Sequence, residues 1–101
     1  MEIEALKKKH GKIYTLTVSL DEDDATKVAT IYLKKADRTT RAIVDKLVER
    51  DKAAAIEAAL KNLYVGGDDL NLILLNDDAL FSCESAIVDI MKVQAAILKK
   101  N

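Results

Sequence analysis

The strongest constraint on the fold is an apolar stripe near the end of the chain, between Asp77 and Lys100. Its members recur mostly at intervals of three and four, which places them on one face of an α-helix. They are Leu80, Cys83, Ile87, Ile90, Met91, Ile97 and Leu98. Ala79, Ala86 and Val93 widen the stripe beyond what a helix packed on one neighbour requires. The pattern predicts a long central helix over 77–100.

An alternating pattern predicts two β-strands in the first third of the chain. From Ile13 to Leu20, apolar side chains occupy every second position, with threonine and serine between them. From Val28 to Leu33, Ala29, Ile31 and Leu33 share one face. Four consecutive acidic residues, Asp21, Glu22, Asp23 and Asp24, separate the two runs. We therefore predict an antiparallel hairpin over 12–35 with an acidic tip.

Helical patterns fill the rest of the chain. A short helix is expected over 1–11, because Gly11 suits a left-handed helix end. Two helices are expected over 37–64, the first capped by Asp37 or Thr39 and the second by Asp51.

The Gly66-Gly67 pair is interpreted as a helix stop, and the following Asp68-Asp69 as a helix start. The segment 68–75 fits a strand or a helix, and we prefer a short helical turn. Together these elements predict an α+β fold in which the N-terminal hairpin packs on a bundle of three to four helices, within a single domain over 1–101.

Composition narrows the class of function. The formal net charge is −1, which argues against a general nucleic-acid binder, since phosphate neutralisation requires an excess of lysine and arginine. The apolar run Leu70–Leu75 is far shorter than the ~20 residues of a membrane span. The first nine residues lack the apolar run of a signal peptide, so synthesis in the cytoplasm is the expectation. The single Cys83 indicates a reducing compartment.

We predict no enzyme activity, cofactor or metal site. An EF-hand that began at Asp21 would need glycine at its sixth position and glutamate at its twelfth, where Thr26 and Tyr32 stand. One cysteine and one histidine cannot hold zinc within a single chain. A Cys83–His10 dyad is disfavoured, because Cys83 is expected in the core and His10 on the surface.

Two interpretations of the remaining apolar surface stay open: it binds another protein, or it is all buried within the monomer. The hairpin carries apolar residues on both faces, whereas a few short helices can cover only one of them. By elimination, Tyr14, Val28, Tyr32 and Lys34, with the free strand edge, are the predicted partner contacts. Which edge of the hairpin is free does not follow from the pattern.

Several short motifs carry a family resemblance. They are the hairpin end Tyr32-Leu33-Lys34-Lys35-Ala36-Asp37-Arg38, the alanine-rich helix leading to Leu60-Lys61-Asn62, the Gly66-Gly67-Asp68 break, and the closing helix with Lys92-Val93 and Leu98-Lys99-Lys100. With them the chain resembles small proteins from the structural-gene regions of tailed phages of Bacteroides-type gut bacteria. Relatives tend to carry proline at the position of Ala36.

The resemblance implies one of two roles. The first is a capsid auxiliary protein of a crAss-like phage, bound in many copies to the major capsid protein in the virion by β-augmentation at the hairpin. The second is a tail assembly chaperone that coats the tape-measure protein. A third reading, from another class, is a host-directed inhibitor whose acidic tip mimics nucleic acid, although the balanced overall charge disfavours it.

Overall fold

The computed structural model describes residues 2–92, and the predictions that concern 93–101, including Val93, Ile97 and Leu98, lie outside the described residues. The elements in chain order are α1 (Glu2–His10), β1 (Ile13–Ser19), β2 (Val28–Lys34), α2 (Arg38–Val48), α3 (Lys52–Leu63), β3 (Tyr64–Gly67), α4 (Asn71–Leu74), α5 (Asp77–Ser82) and α6 (Glu84–Met91). The α+β class and the N-terminal hairpin are confirmed.

The sheet has three antiparallel strands in the order β1-β2-β3. β1 and β2 pair without irregularity from Ile13 opposite Lys34 to Ser19 opposite Val28. β3 was not predicted, and it pairs with β2 with a bulge opposite the Tyr32–Leu33 step. The Gly66-Gly67 pair therefore belongs to a strand, and its interpretation as a helix stop is wrong. Gly67 has φ +100°, and a Cβ there would lie 2.5 Å from the carbonyl oxygen of Thr30, so only glycine fits.

Helices α2 and α3 begin at the predicted caps. The carboxylates of Asp37 and Asp51 accept hydrogen bonds from the backbone N–H groups of Thr40 and Ala54, at 2.7 and 3.1 Å. Each bond satisfies one of the N–H groups that the first turn of a helix leaves without an intrahelical acceptor. The short turn predicted within 68–75 is present as α4.

The long helix predicted over 77–100 is wrong within the described residues, because α5 and α6 are separate. The hydroxyl of Ser82 and the thiol of Cys83 both donate to the carbonyl of Ala79, at 2.7 and 3.3 Å. The backbone N–H of Cys83 bonds instead to Leu80, three residues back. The side chains of Ser82 and Cys83 thus compete with the backbone for the carbonyl of Ala79 at the point where α5 ends.

α6 ends at Met91, because Lys92 has extended backbone angles and the Met91 carbonyl accepts a hydrogen bond from the Arg41 guanidinium. Among the described helices, α3 contacts α2, α5, α6 and the sheet. Within the described residues, no helix is both long and apolar enough to cross a membrane.

The core lies between one face of the sheet and the helices. Its largest fully buried side chains include Ile31 and Leu33 from β2 and Leu60 and Leu63 from α3. Burying side chains of this size is favourable by about 1.5–3 kcal/mol each, before the entropy of ordering them is counted. The alternation predicted for the hairpin therefore determines which face meets the helices.

Candidate protein-binding surface

The second face of the sheet is not part of the core. On β2 it carries Val28, Thr30, Tyr32 and Lys34, and we call this set, with the opposing β1 side chains, the outer face. The opposing side chains are Ile13, Thr15, Thr17 and Ser19. The hydroxyls of Thr17 and Thr30 lie 3.2 Å apart across the strands. Val28 is 42% exposed, and the outer face therefore offers apolar and polar atoms together to a partner.

Three of the four predicted contact residues, Val28, Tyr32 and Lys34, share the outer face. Tyr14 does not. Successive residues of a strand alternate between faces, so Tyr14 shares the core-facing side of β1 with Leu16 and Val18. Its ring packs at the border of the core, and the ammonium of Lys12 lies 5.1 Å from the ring centre. The four predicted contact residues therefore divide between the two faces of the sheet, and Tyr14 lies apart from the other three.

β3 protects one edge of the sheet. It is only four residues long, contains two glycines and pairs through a bulge. Beyond its end, the carboxylate of Asp68 accepts a hydrogen bond from the backbone N–H of Thr30, at 2.8 Å. Short length, bulges and covered backbone groups are features by which edge strands avoid unwanted pairing.

β1 forms the opposite edge and is free of such pairing in the part of the chain that the structure describes. The N–H of Leu20 donates a hydrogen bond to the carbonyl of Lys27, 2.9 Å long, and this bond identifies which residues of β1 direct their backbone groups toward β2. Because bonded and non-bonded pairs alternate in an antiparallel ladder, the backbone groups of Ile13, Thr15, Thr17 and Ser19 point away from β2. The sequence did not decide which edge of the hairpin is free. Within the described residues, that edge is β1.

Grooves of opposite charge flank the two ends of β1. At its C-terminal end, a groove of about 640 Å³ runs between the strand and α5, and its acidic lining is Asp21, Glu22, Asp23 and Asp78. At its N-terminal end, a groove of about 710 Å³ has a basic lining of His10, Lys12, Lys35, Arg41 and Lys92. The strand therefore runs from a basic end to an acidic end.

The helical side carries a second apolar surface, whose residues were not among the predicted partner contacts. A groove of about 300 Å³ lies between α2, α3 and α6, with Val44, Ile56, Ile87 and Met91 among its lining residues. Val48 and Val88 at its rim are 45% and 54% exposed. Leu72, Leu75 and Phe81 are further exposed apolar side chains on the helical side. The extra width of the apolar stripes was the signal that could have identified this surface.

Two of the four acidic tip residues bond within their own loop. Asp21 accepts a hydrogen bond from the backbone N–H of Asp23, and Asp24 accepts from both the hydroxyl and the N–H of Thr26. The Thr26 hydroxyl holds the pKa of Asp24 below its ordinary value. These bonds are typical of a turn. Among the described residues, no group of acidic, cysteine and histidine side chains has the arrangement of a metal site.

Cys83 is fully buried, and burial raises the pKa of its thiol. A raised pKa keeps the thiol protonated, which is unfavourable for a nucleophile. His10 ends α1 and lines the basic groove. The structure therefore places Cys83 in the core and leaves His10 half-buried at the end of α1.

Comparison of the chain with protein-family models, with curated proteins and with solved structures gave no match.

Proposed function

We propose that this protein is a non-enzymatic structural protein of a tailed phage, a capsid auxiliary protein that binds the major capsid protein and reinforces the shell. It would be made in the host cytoplasm and carried in the virion. The observation that supports the proposal is the outer face of the sheet, where Val28, Tyr32 and Lys34 lie together outside the core. The family resemblance supplies the identity of the partner.

The chemistry of the outer face suits a lasting protein contact. Tyr32 offers a ring and a hydroxyl, Lys34 a charge, and the threonines short hydroxyl groups that order at low entropic cost. Aromatic residues are enriched in protein interfaces, and a ring at the centre of a patch commonly contributes most of the binding energy. Tyr32 lies opposite Thr15 in the middle of β2, which gives it this central place.

Quantitative mass spectrometry of purified phage particles tests the role directly. We expect a copy number approaching that of the major capsid protein. Absence from particles, combined with abundance in the infected lysate, would overturn the proposal.

Variants of the outer face test the surface. Tyr32→Ser and Val28→Asp should weaken binding to the assembled capsid protein by at least about tenfold, because they remove the central apolar contacts. Leu75→Asp is a matched control, since Leu75 is 85% exposed, ends α4 and does not belong to the outer face. Equal binding by Tyr32→Ser, Leu75→Asp and the parent protein would exclude the outer face.

The apolar helical side favours a second candidate, the tail assembly chaperone. Five of the six large apolar side chains that are most exposed within the described residues lie on or beside helices, and only Val28 belongs to the sheet. A chaperone for the tape-measure protein would hold apolar helices in such a groove. In that case Val88→Asp should reduce binding to the tape-measure protein, whereas Tyr32→Ser should leave it unchanged.

A further inference from the structure

Within the part of the chain that the structure describes, β1 lacks the features that normally protect a sheet edge. Its seven residues, Ile13–Ser19, include no charged residue, proline or glycine, and all seven pair regularly with β2. Edge strands of monomeric proteins usually carry a charge, a proline or a bulge that prevents pairing with another chain. The contrast with the short, bulged β3 indicates that β1 is built to accept a strand.

The pattern of β1 suits pairing with itself. If two copies of β1 run antiparallel about Leu16, Ile13 lies opposite the second copy's Ser19, and Thr15 opposite the second copy's Thr17. These are the residues whose backbone groups point away from β2, so each opposing pair can exchange two hydrogen bonds. The outer faces of the two sheets then join, and the half-buried Tyr14 and Leu16 continue the apolar inner face into the second copy.

The charges at the two ends of β1 specify the direction. Antiparallel pairing places the acidic groove with Asp21, Glu22, Asp23 and Asp78 against the second copy's basic groove with Lys12, Lys35 and Arg41. The last turn of α1 adds Lys7, Lys8 and Lys9 at the basic end. Parallel pairing would instead bring like charges together at both ends, which is unfavourable.

We propose that two copies of this chain associate through their β1 edges, antiparallel and centred on Leu16, to form one six-stranded sheet with two-fold symmetry. In a two-fold contact the same surface of each copy meets the other in the reverse direction. The basic end of each β1 therefore lies against the acidic end of the second copy's β1. The proposal goes beyond the proposed function and does not depend on it. The dimer would present two outer faces side by side to the capsid protein, and the β-augmentation expected at the hairpin would involve a second copy.

The mass in solution is the first test. Analytical ultracentrifugation of the whole chain should give the dimer mass, and the dimer should weaken as salt is added, because the contacts between the ends are electrostatic. Thr15→Pro removes an N–H that points away from β2, and it should give the monomer mass. Thr15→Val keeps the N–H and the β-branched shape and should remain a dimer.

A disulfide tests the register. Across the two-fold axis, the Cα atoms of the two Leu16 residues would lie about 4.5 Å apart, which is within the range for a disulfide. Leu16→Cys should therefore form a covalent dimer under mild oxidation. Ser19→Cys is the matched control, because its two copies would lie roughly 20 Å apart and should not crosslink. The native Cys83 is buried and is present in both variants.

Hydrogen exchange provides a readout that needs no variant. The amides of Thr15, Thr17 and Ser19 should become protected as the protein concentration rises. A monomer mass at all concentrations would overturn the proposal, and so would a dimer in which Leu16→Cys and Ser19→Cys crosslink equally. Protection of these amides only after the major capsid protein is added would assign the edge to a capsid strand and would also overturn it.

Discussion

Asp68 closes the sheet ladder on Thr30 by two hydrogen bonds. Its carboxylate accepts from the backbone N–H of Thr30, and its own N–H donates to the carbonyl of Thr30, both at 2.8 Å. The hydroxyl of Tyr64 in turn donates to the carbonyl of Asp68, at 2.8 Å. This relationship covers the edge of β2 beyond β3, so that within residues 2–92 the edge open to a partner is β1.

Replacing Asp68 should therefore weaken the sheet. Asp68→Ala is expected to lower the free energy of unfolding by about 1–2 kcal/mol, because the N–H of Thr30 loses a charged acceptor. Asp68→Asn keeps an acceptor oxygen and should cost less. Urea unfolding measures both variants. Asp69→Ala is the neighbouring control, since its carboxylate bonds the N–H of Asn71 outside the sheet, and a larger loss there would contradict this role of Asp68.

The glycines at 67 and 11 provide a matched pair. Gly67→Ala should lower the free energy of unfolding by roughly 3 kcal/mol, because it combines a positive φ with a Cβ 2.8 Å from the Cα of Ile31. Gly11 also has a positive φ, of +83°, but nothing lies within 4 Å of its added Cβ. Gly11→Ala should therefore cost only about 1 kcal/mol. If both variants lowered the free energy of unfolding equally, in thermal or urea unfolding, the close approach of Gly67 to β2 would not contribute to stability.

Cys83 should make the stability depend on pH in alkali. Burial raises the pKa of its thiol above the ordinary 9.0, so the folded state holds the proton more tightly than the unfolded state does. The stabilisation is complete below pH 9 and is lost as the pH rises through the folded pKa. Cys83→Ala should cost about 1–2 kcal/mol at pH 7. The difference between parent and variant should shrink at pH 10, as measured by urea unfolding under reducing conditions, and a constant difference would contradict the raised pKa.

Asp37 should make the free energy of unfolding depend on pH in acid. The N–H of Thr40 lowers the pKa of this carboxyl below its ordinary 3.8, so ionisation favours the folded state. Its contribution is present above pH 3.8 and is lost as the pH falls through the lower folded pKa. The advantage of the parent over Asp37→Asn in thermal unfolding should therefore vanish in strong acid. Asp37→Ser, which keeps a capping oxygen without a titrating group, should follow the same pH profile as Asp37→Asn.

The helix starts and the hairpin could be predicted because their causes are local. Asp37 and Asp51 bond N–H groups three residues ahead, and the alternation of Ile31 and Leu33 with polar neighbours needs no distant partner to be recognised. The break at Cys83 was missed even though its cause is also local. The apolar residues keep their helical spacing across Cys83. The hydrogen bonds of the Ser82 hydroxyl and the Cys83 thiol to the Ala79 carbonyl do not alter that spacing.

Most of the candidate surface could be predicted as well. Val28, Tyr32 and Lys34 share a face because side chains alternate strictly along β2, and the same rule puts Tyr14 on the opposite face of the sheet. The exposed Val48 and Val88 were not named as contacts, because an apolar face on a helix does not reveal whether a neighbour covers it.

The amino-acid sequence by itself determined the class of fold, the hairpin and its two faces, because side-chain periodicity and capping act over a few residues. Only the tertiary structure decided that Tyr64–Gly67 forms a third strand on β2, since nothing local marks a short glycine-containing segment as a strand. That pairing occupies one edge of the hairpin, and among the described residues no strand pairs with the other edge, β1. The β2–β3 pairing joins residues more than thirty positions apart, and its energy exists only once the chain has brought them together.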